Sequence, residues 1–370
     1  MGYPSDKNPK RLVFLQRLVN ELVDQGNQCT VISPVKFPAD KETIIGFEEQ
    51  KTNSGNIVKA YFPAYFCMRL TARYRNDPFK NLSVHNYQKA AERVIHKNKI
   101  EFDVVYSHFL GVSAECAVKI ASMYNVPCFA AAGESVFSYY DAPDCFRVNR
   151  YLNKLAGIVS VSSANKQILV SRGLNGDNIK VFPNGIDTSM FYRRDKAESR
   201  MKMGFNNDDF IVAFTGAFIE RKGVLRLQEA TKDLPVKVAY AGSGPQMPNS
   251  NNTIWCKPVT PENMPCFLSA ADIFVLPTLN EGCCNSIIEA MACGLPVISA
   301  DKPFNNDILD DSCSIRVDPS DVSAIRNSII KLYENKSLVE KLSKGSVEKS
   351  RMLDLKQRAS GISSWISERL

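Results

Sequence analysis

Strand-like and helix-like segments alternate along almost the whole chain, and this restricts it to parallel α/β sheets more firmly than any other feature. Residues 12–25 read as a helix, with Leu12, Leu15, Val19 and Leu22 on one face and Gly26 at its end. A short strand follows over 29–33. Further along come strands at 103–107, 126–132 and 157–162, with helices at 112–124 and 163–173. Near residue 180 the character changes. Val181-Phe-Pro-Asn-Gly-Ile-Asp187 is a turn cluster suited to a hinge. A second α/β set then begins, with strands at 210–215, 236–241, 254–257, 273–277 and 296–299. Its helices lie at 224–231, 263–269 and 322–333, and the tail from 340 to 370 is largely helical. At 370 residues the chain is too long for one ordinary core, so two domains are expected.

Composition excludes several classes. Eleven cysteines are scattered without metal-ligand spacing, and there are three histidines, so no zinc set is expected. The cysteines read as reduced, mostly buried thiols of a cytosolic protein. Met1-Gly-Tyr-Pro-Ser-Asp is polar and unlike a signal peptide. No run of about eighteen apolar residues is present to span a membrane. The net charge of +7 permits an anionic ligand or membrane surface, and no nucleic-acid motif accompanies it.

The most informative motif is a pair of glutamates, Glu281 and Glu289, in Asn280-Glu-Gly-Cys-Cys-Asn-Ser-Ile-Ile-Glu-Ala-Met-Ala-Cys-Gly-Leu-Pro-Val-Ile298. The first follows a strand and opens a glycine turn. The second lies early in a short helix that stops at Gly294, with Pro296 beyond. Eight helical residues rise about 12 Å. That is too far for two carboxylates to share one reacting atom, but suited to gripping two parts of one elongated ligand. A plainer reading makes Ser286 and Glu289 a capping box and Glu281 a solvated loop charge.

The string resembles the E-x7-E signature of the retaining glycosyltransferases of family four. The resemblance implies an α/β GT-B fold: two Rossmann-like domains with parallel sheets facing across a cleft. The expected divisions are an acceptor-side domain over 1–178, a nucleotide-sugar domain over 179–345, and a C-terminal helix over 346–370 returning to the first. Relatives open with a strand before a helix like 12–25, whereas this chain opens within the following loop at Gly2. The expectation is therefore a missing first strand, and a gain in solubility and activity from a start upstream of Met1.

By the same resemblance Glu281 lies beside the donor sugar and Glu289 binds the ribose. The backbone of Gly282, Cys283, Cys284 and Asn285 would sit at the sugar and diphosphate, where a helix N-terminus favours anions. Gly216-Ala-Phe-Ile-Glu-Arg-Lys-Gly223 follows a strand and precedes a helix. Lys222 matches the family's diphosphate-binding lysine. The usual arginine after the first glycine is Ala217, and Arg221 is the candidate for the second charge. Such cations stabilise a leaving diphosphate without metal. Gly242 and Gly244 form a turn near the nucleotide, and Trp255-Cys-Lys-Pro258 lies where relatives hold the base. His108 ends a strand where relatives contact the sugar, and Glu134 is an acceptor-side candidate. For each of these a structural role is the competing reading.

Residues 61–99 mix aromatics (Tyr61, Phe62, Tyr65, Phe66, Tyr74, Phe79) with bases including Arg69, Arg73, Arg75, Lys80, Lys89 and Arg93. Such a mixture either docks on anionic lipid or is a core-facing aromatic set with a solvated basic face. The implied activity is metal-independent, retaining transfer from a nucleoside-diphosphate sugar to the hydroxyl of a glycan or lipid-linked acceptor in bacterial surface polysaccharide or glycolipid synthesis. It needs no cofactor and no nucleic acid, and its place is cytoplasmic, either free or peripheral on the inner face of the plasma membrane. A catalytically silent nucleotide-sugar-binding subunit and a GT-B epimerase are the alternatives.

Overall fold

The computed structural model describes residues 2–9, 11–38, 40, 44–67, 80–135, 137 and 145–370, with backbone alone for 80 and 145–147. The chain forms two compact units. One comprises Met1–Ser160, Lys166–Phe182 and Ala359–Leu370, the other Val161–Asn165 and Pro183–Arg358.

The elements of the first unit are α1 (Val13–Asp24), β1 (Thr30–Ile32), β2 (Val35–Phe37), β3 (Gly46–Lys51), β4 (Ile57–Phe62), β5 (Ala64–Phe66), α2 (Lys80–Asn98), β6 (Val105–His108), α3 (Val112–Tyr124), β7 (Cys128–Ala132), α4 (Cys145–Leu152), β8 (Gly157–Ser160), α5 (Ser163–Ser171, shared with the second unit) and β9 (Ile179–Val181). They make three separate sheets, ordered β1-β4-β3, β2-β5 and β6-β7-β8-β9. The β3–β4 pairing is antiparallel and the others are parallel. In β4 the buried residues alternate, with Val58, Ala60 and Phe62 inward and Ile57 and Lys59 outward, as a half-exposed sheet requires. In contrast β7, Cys-Phe-Ala-Ala-Ala, is buried throughout. A Cβ on Gly157 of β8 would come within 2.4 Å of the Trp365 ring, so only glycine leaves room for that indole.

The second unit holds α6 (Lys196–Met203), β10 (Ile211–Thr215), α7 (Val224–Thr231), β11 (Lys237–Ala241), β12 (Thr253–Cys256), α8 (Met264–Ser269), β13 (Ile273–Leu276), α9 (Asn285–Ala292), β14 (Val297–Ala300), β15 (Ser314–Val317), α10 (Val322–Glu334) and α11 (Lys336–Arg351); α12 (Leu355–Ser367) begins in this unit and ends in the first. Its strands form one parallel sheet in the order β12-β11-β10-β13-β14-β15. Strands β10, β13 and β14 are buried along their whole length, as a sheet covered by helices on both faces demands. From β10 the chain winds first to β11 on one side and later to β13 on the other. The carboxyl ends of β10 and β13 therefore flank a topological switch point, where open α/β sheets leave a crevice for ligands.

Helix α9 is held from behind. Two buried serines of α11, Ser343 and Ser346, donate to the carbonyls of Gly294 (2.6 Å) and Leu295 (2.8 Å) in the turn that follows it. The sequence also left several elements unassigned: β2, β3, β4, β5, α2, β9, α6 and β15. The basic and aromatic residues Arg69, Arg73, Tyr74, Arg75 and Phe79 lie outside the described residues.

Candidate functional site

The loops after β10 and β13 meet at the switch point, and the charges read from the sequence meet there with them. Glu281 Oε1 accepts from Lys222 Nζ at 2.7 Å, Arg221 Nη1 at 2.7 Å and Thr278 Oγ1 at 2.8 Å. The loops are also joined through backbone, since Leu279 N donates to the Arg221 carbonyl at 2.8 Å. Lys222 and Glu281 are nearly buried, with side chains 13% and 10% exposed, while Arg221 is more open at 35%. Burial opposes the charge on Lys222, but Cys284 and Glu281 more than offset it, so its pKa stands above the ordinary lysine value. Two cations against one carboxylate leave this corner with one positive charge in surplus. Ala217 is exposed and takes no part, whereas Arg221, on a 3-10 turn over Glu220–Lys222, reaches the glutamate directly.

Gly242 and Gly244 have a structural reason to be glycine. A Cβ on Gly242 would lie 1.9 Å from the Gly216 carbonyl oxygen, and one on Gly244 would lie 2.4 Å from that of Phe218. The loop is further tied by Phe218 N donating to the Ser243 carbonyl at 2.9 Å. Thus the loops after β10 and β11 pack backbone to backbone, with Gly216 at the contact, and the lysine stem of Lys222 lies beside Gly216. Trp255 packs edge-on near Phe205, and Lys257 Nζ sits 4.4 Å from its ring centroid.

Helix α9 begins at Asn285 with Cys284 as its N-cap, and no side chain caps that end. This corrects the capping-box reading: Ser286 lies inside the first turn, where its hydroxyl is 3.2 Å from Cys284 Sγ. Glu289 is half-buried on the second turn. Burial raises both thiols, Cys283 to about 12, so neither is a thiolate nucleophile at neutral pH. A residue the sequence did not single out fixes this segment. Asn184, from the Pro-Asn-Gly turn, donates through Nδ2 to Asn285 Oδ1 at 2.7 Å and to the Cys283 carbonyl at 3.3 Å. Its only advance signal was membership of that turn cluster.

In the first unit His108 ends β6, with its ring 5.5 Å from that of Phe14 and 4.6 Å from that of Phe109. Phe109 has φ +70°, a left-handed conformation costly for a bulky residue. The loop is tied to its neighbours. Glu134 accepts from Leu110 N at 2.6 Å, Tyr151 donates to the Leu110 carbonyl at 2.8 Å, and Ser113 donates to the His108 carbonyl at 3.0 Å. Burial pushes the Glu134 carboxyl up to about 7 against its backbone hydrogen bonds. Glu134, after β7, is thus bonded to the loop that follows His108, as Glu281, after β13, is bonded to Arg221 and Lys222 after β10 in the second unit.

Comparison with known proteins gives this arrangement its class. Residues 13–190 match the family described as Glycosyltransferase Family 4, and residues 195–349 match Glycosyl transferases group 1. The chain is 24% identical over 350 residues to the teichuronic acid biosynthesis glycosyltransferase TuaC of Bacillus subtilis, covering 91% of this chain and 88% of the relative. Its fold is like that of sucrose-phosphate synthase from Thermosynechococcus elongatus (TM-score 0.78, 17% identity, 96% and 92% of the two chains). It is also like that of Anabaena HepE in complex with UDP-glucose (TM-score 0.74, 15% identity, 99% and 98%). The chain belongs to the group 1 glycosyltransferases and has the GT-B fold. It is an enzyme of the glycosyl-transferring class.

No group of His, Cys, Asp and Glu among the described residues is arranged to hold a metal ion, and no described helix is long and apolar enough to cross a membrane. The ten cysteines whose side chains are described carry no disulfide.

Proposed function

We propose that this glycosyltransferase takes a sugar from a nucleoside diphosphate and passes it, with retention of configuration and without metal, to the hydroxyl of a glycan or lipid-linked acceptor. The observation that carries this reading is the Arg221–Lys222–Glu281 cluster at the switch point. A departing nucleoside diphosphate gains negative charge, and a preorganised surplus cation beside it lowers the barrier without reorganisation. Lys222 and Arg221 would supply that charge. Glu281 would hold both in place and face the sugar, and Glu289 would take the ribose. The backbone of Gly282, Cys283 and Cys284 leads into an uncapped helix end, which suits a phosphate. The second unit would bind the donor, and the first, with His108 and Glu134, would serve the sugar and acceptor. The resemblance to TuaC supports surface-polysaccharide synthesis, and the likeness to HepE with UDP-glucose makes a uridine donor the first to try.

The test is a thermal-shift screen with UDP, GDP, ADP and CMP and their sugar conjugates, with and without EDTA. A ligand well above its dissociation constant should raise the melting temperature. One nucleotide family should stabilise the protein equally in EDTA and lose its effect in Glu289→Ala. A stabilisation abolished by EDTA would end the metal-independent reading. The anomeric configuration of the product, read by NMR, decides retention.

A further inference from the structure

Arg226 stands on the first turn of α7, just after the loop that carries the two cations, and the chemistry proposed above does not use it. Its side chain is 14% exposed. Nη2 donates to the Glu220 carbonyl at 3.1 Å and to the Pro277 carbonyl at 3.0 Å, and Nη1 donates to the Glu220 carboxylate. Among the described residues it bonds no others, so it reaches none of the side chains of Arg221, Lys222 and Glu281 directly.

These two carbonyls belong to the two loops that meet at the switch point. Glu220 opens the 3-10 turn that presents Arg221 and Lys222, and Pro277 follows β13 and leads to Thr278 and Glu281. One guanidinium therefore joins the backbone that bears the cations to the backbone that bears their carboxylate. The surroundings are tightly filled: a Cβ on Gly223 would lie 2.5 Å from the Pro277 carbonyl oxygen and 2.8 Å from Arg226 Nη2. The Glu220 carboxylate also accepts from Gln246 Nε2 at 3.2 Å, but the Glu220 side chain is 67% exposed. Exposed ion pairs contribute little, so the planar fork across the two carbonyls is the part that holds.

We propose that Arg226 is a positioning residue for sugar transfer: it locks the Glu220–Lys222 turn to the end of β13, so that Arg221 and Lys222 meet the diphosphate already ordered. This role rests on the donor-site reading above. Ordering long side chains at the moment of binding costs affinity, and cations fixed beforehand stabilise a departing diphosphate without reorganisation. Lysine at this position would keep the charge but not the fork.

The experiment uses the full chain as wild type, Arg226→Ala, Arg226→Lys and Glu220→Gln, the last of which keeps the Glu220 carbonyl. Calorimetry compares UDP, GDP and ADP with their monophosphates. Hydrogen exchange follows the amides of Gly223 and Leu279, which bond the Glu220 and Arg221 carbonyls at 3.1 and 2.8 Å. In both Arg226 variants the preference for the diphosphate should fall about fivefold or more, with monophosphate affinity within about twofold of wild type. The two amides should exchange about tenfold faster or more, while those of β10 change only as global stability changes. A loss of general stability alone would not move the diphosphate preference. Glu220→Gln should change that preference by less than about twofold. Unchanged exchange at Gly223 and Leu279, or an equal loss in Glu220→Gln, overturns the role of Arg226. A wild type that prefers no diphosphate overturns the donor-site reading, and this role with it; a preference that the Arg226 variants keep overturns this role alone.

Discussion

Two half-buried carboxylates, Glu281 and Glu134, follow strands in the two units, and their surroundings differ. Glu281 is placed by a continuous six-stranded sheet, at the point where the winding reverses, and two cations and a hydroxyl converge on one of its oxygens. Glu134 follows β7 in a unit whose strands are divided among three sheets, and it meets backbone amides, with burial pushing its pKa up to about 7. The same side chain is thus a charged anchor in one place and a carboxyl near its protonation midpoint in the other. Environment, and not residue type, assigns the role.

The sharpest way to break this contrast is to remove the charge of Glu281. Glu281→Gln keeps the shape but leaves Arg221 and Lys222 unneutralised, raising the net charge of the cluster from +1 to +2. Turnover should fall about 10²–10³-fold, because the cations lose the partner that aims them. Affinity for the nucleoside diphosphate should stay the same or tighten. Steady-state kinetics together with calorimetry of the diphosphate check both. Turnover within a few-fold of wild type, or a marked loss of diphosphate affinity, would mean that Glu281 does not organise the cations.

Glu134 answers to pH. Because its folded pKa is raised from 4.5 to about 7, the native state holds a proton that the unfolded chain releases earlier. Stability from this group is complete below about pH 4.5 and is lost as pH rises towards 7, by up to about 3 kcal/mol. Gln has no proton to lose and still accepts from Leu110 N. Glu134→Gln should therefore match the wild type at pH 4.5 and exceed it at pH 8 in urea unfolding, with the Phe109–Leu110 loop intact. Glu134→Ala should be less stable at both. If Gln instead abolishes turnover while leaving the fold and KM unchanged, the carboxylate itself acts on the acceptor.

The two regions were not equally legible. Glu281, Lys222 and the glycine loops announced themselves because strand, turn and helix leave a spaced pattern in the chain. The convergence of Arg221 on Glu281 was invisible, since it depends on β13 lying beside β10 although some sixty residues separate the loops. Gly242 and Gly244 were read as making room for a nucleotide, whereas the neighbouring loop already requires them. In the first unit β3, Gly-Phe-Glu-Glu-Gln-Lys, is too charged and exposed to read as a strand without its antiparallel partner. The inward alternation of Val58, Ala60 and Phe62 was the available signal there.

Asn184 gives the smallest effect and the finest test of how the second unit is organised. Its amide bonds Asn285 and the Cys283 carbonyl, so it sets where α9 begins without carrying charge. Asn184→Ala should cost about 1–2 kcal/mol of stability and a few-fold in kcat/KM, because neutral hydrogen bonds contribute little each. Asn285→Ala should cost a similar amount. If the two act through their shared bond, the double variant should lose clearly less than the sum of the single losses, a coupling of about 0.5 kcal/mol or more. Strict additivity in a double-mutant cycle would mean that Asn184 stabilises the turn after Val181 and does nothing for the start of the helix.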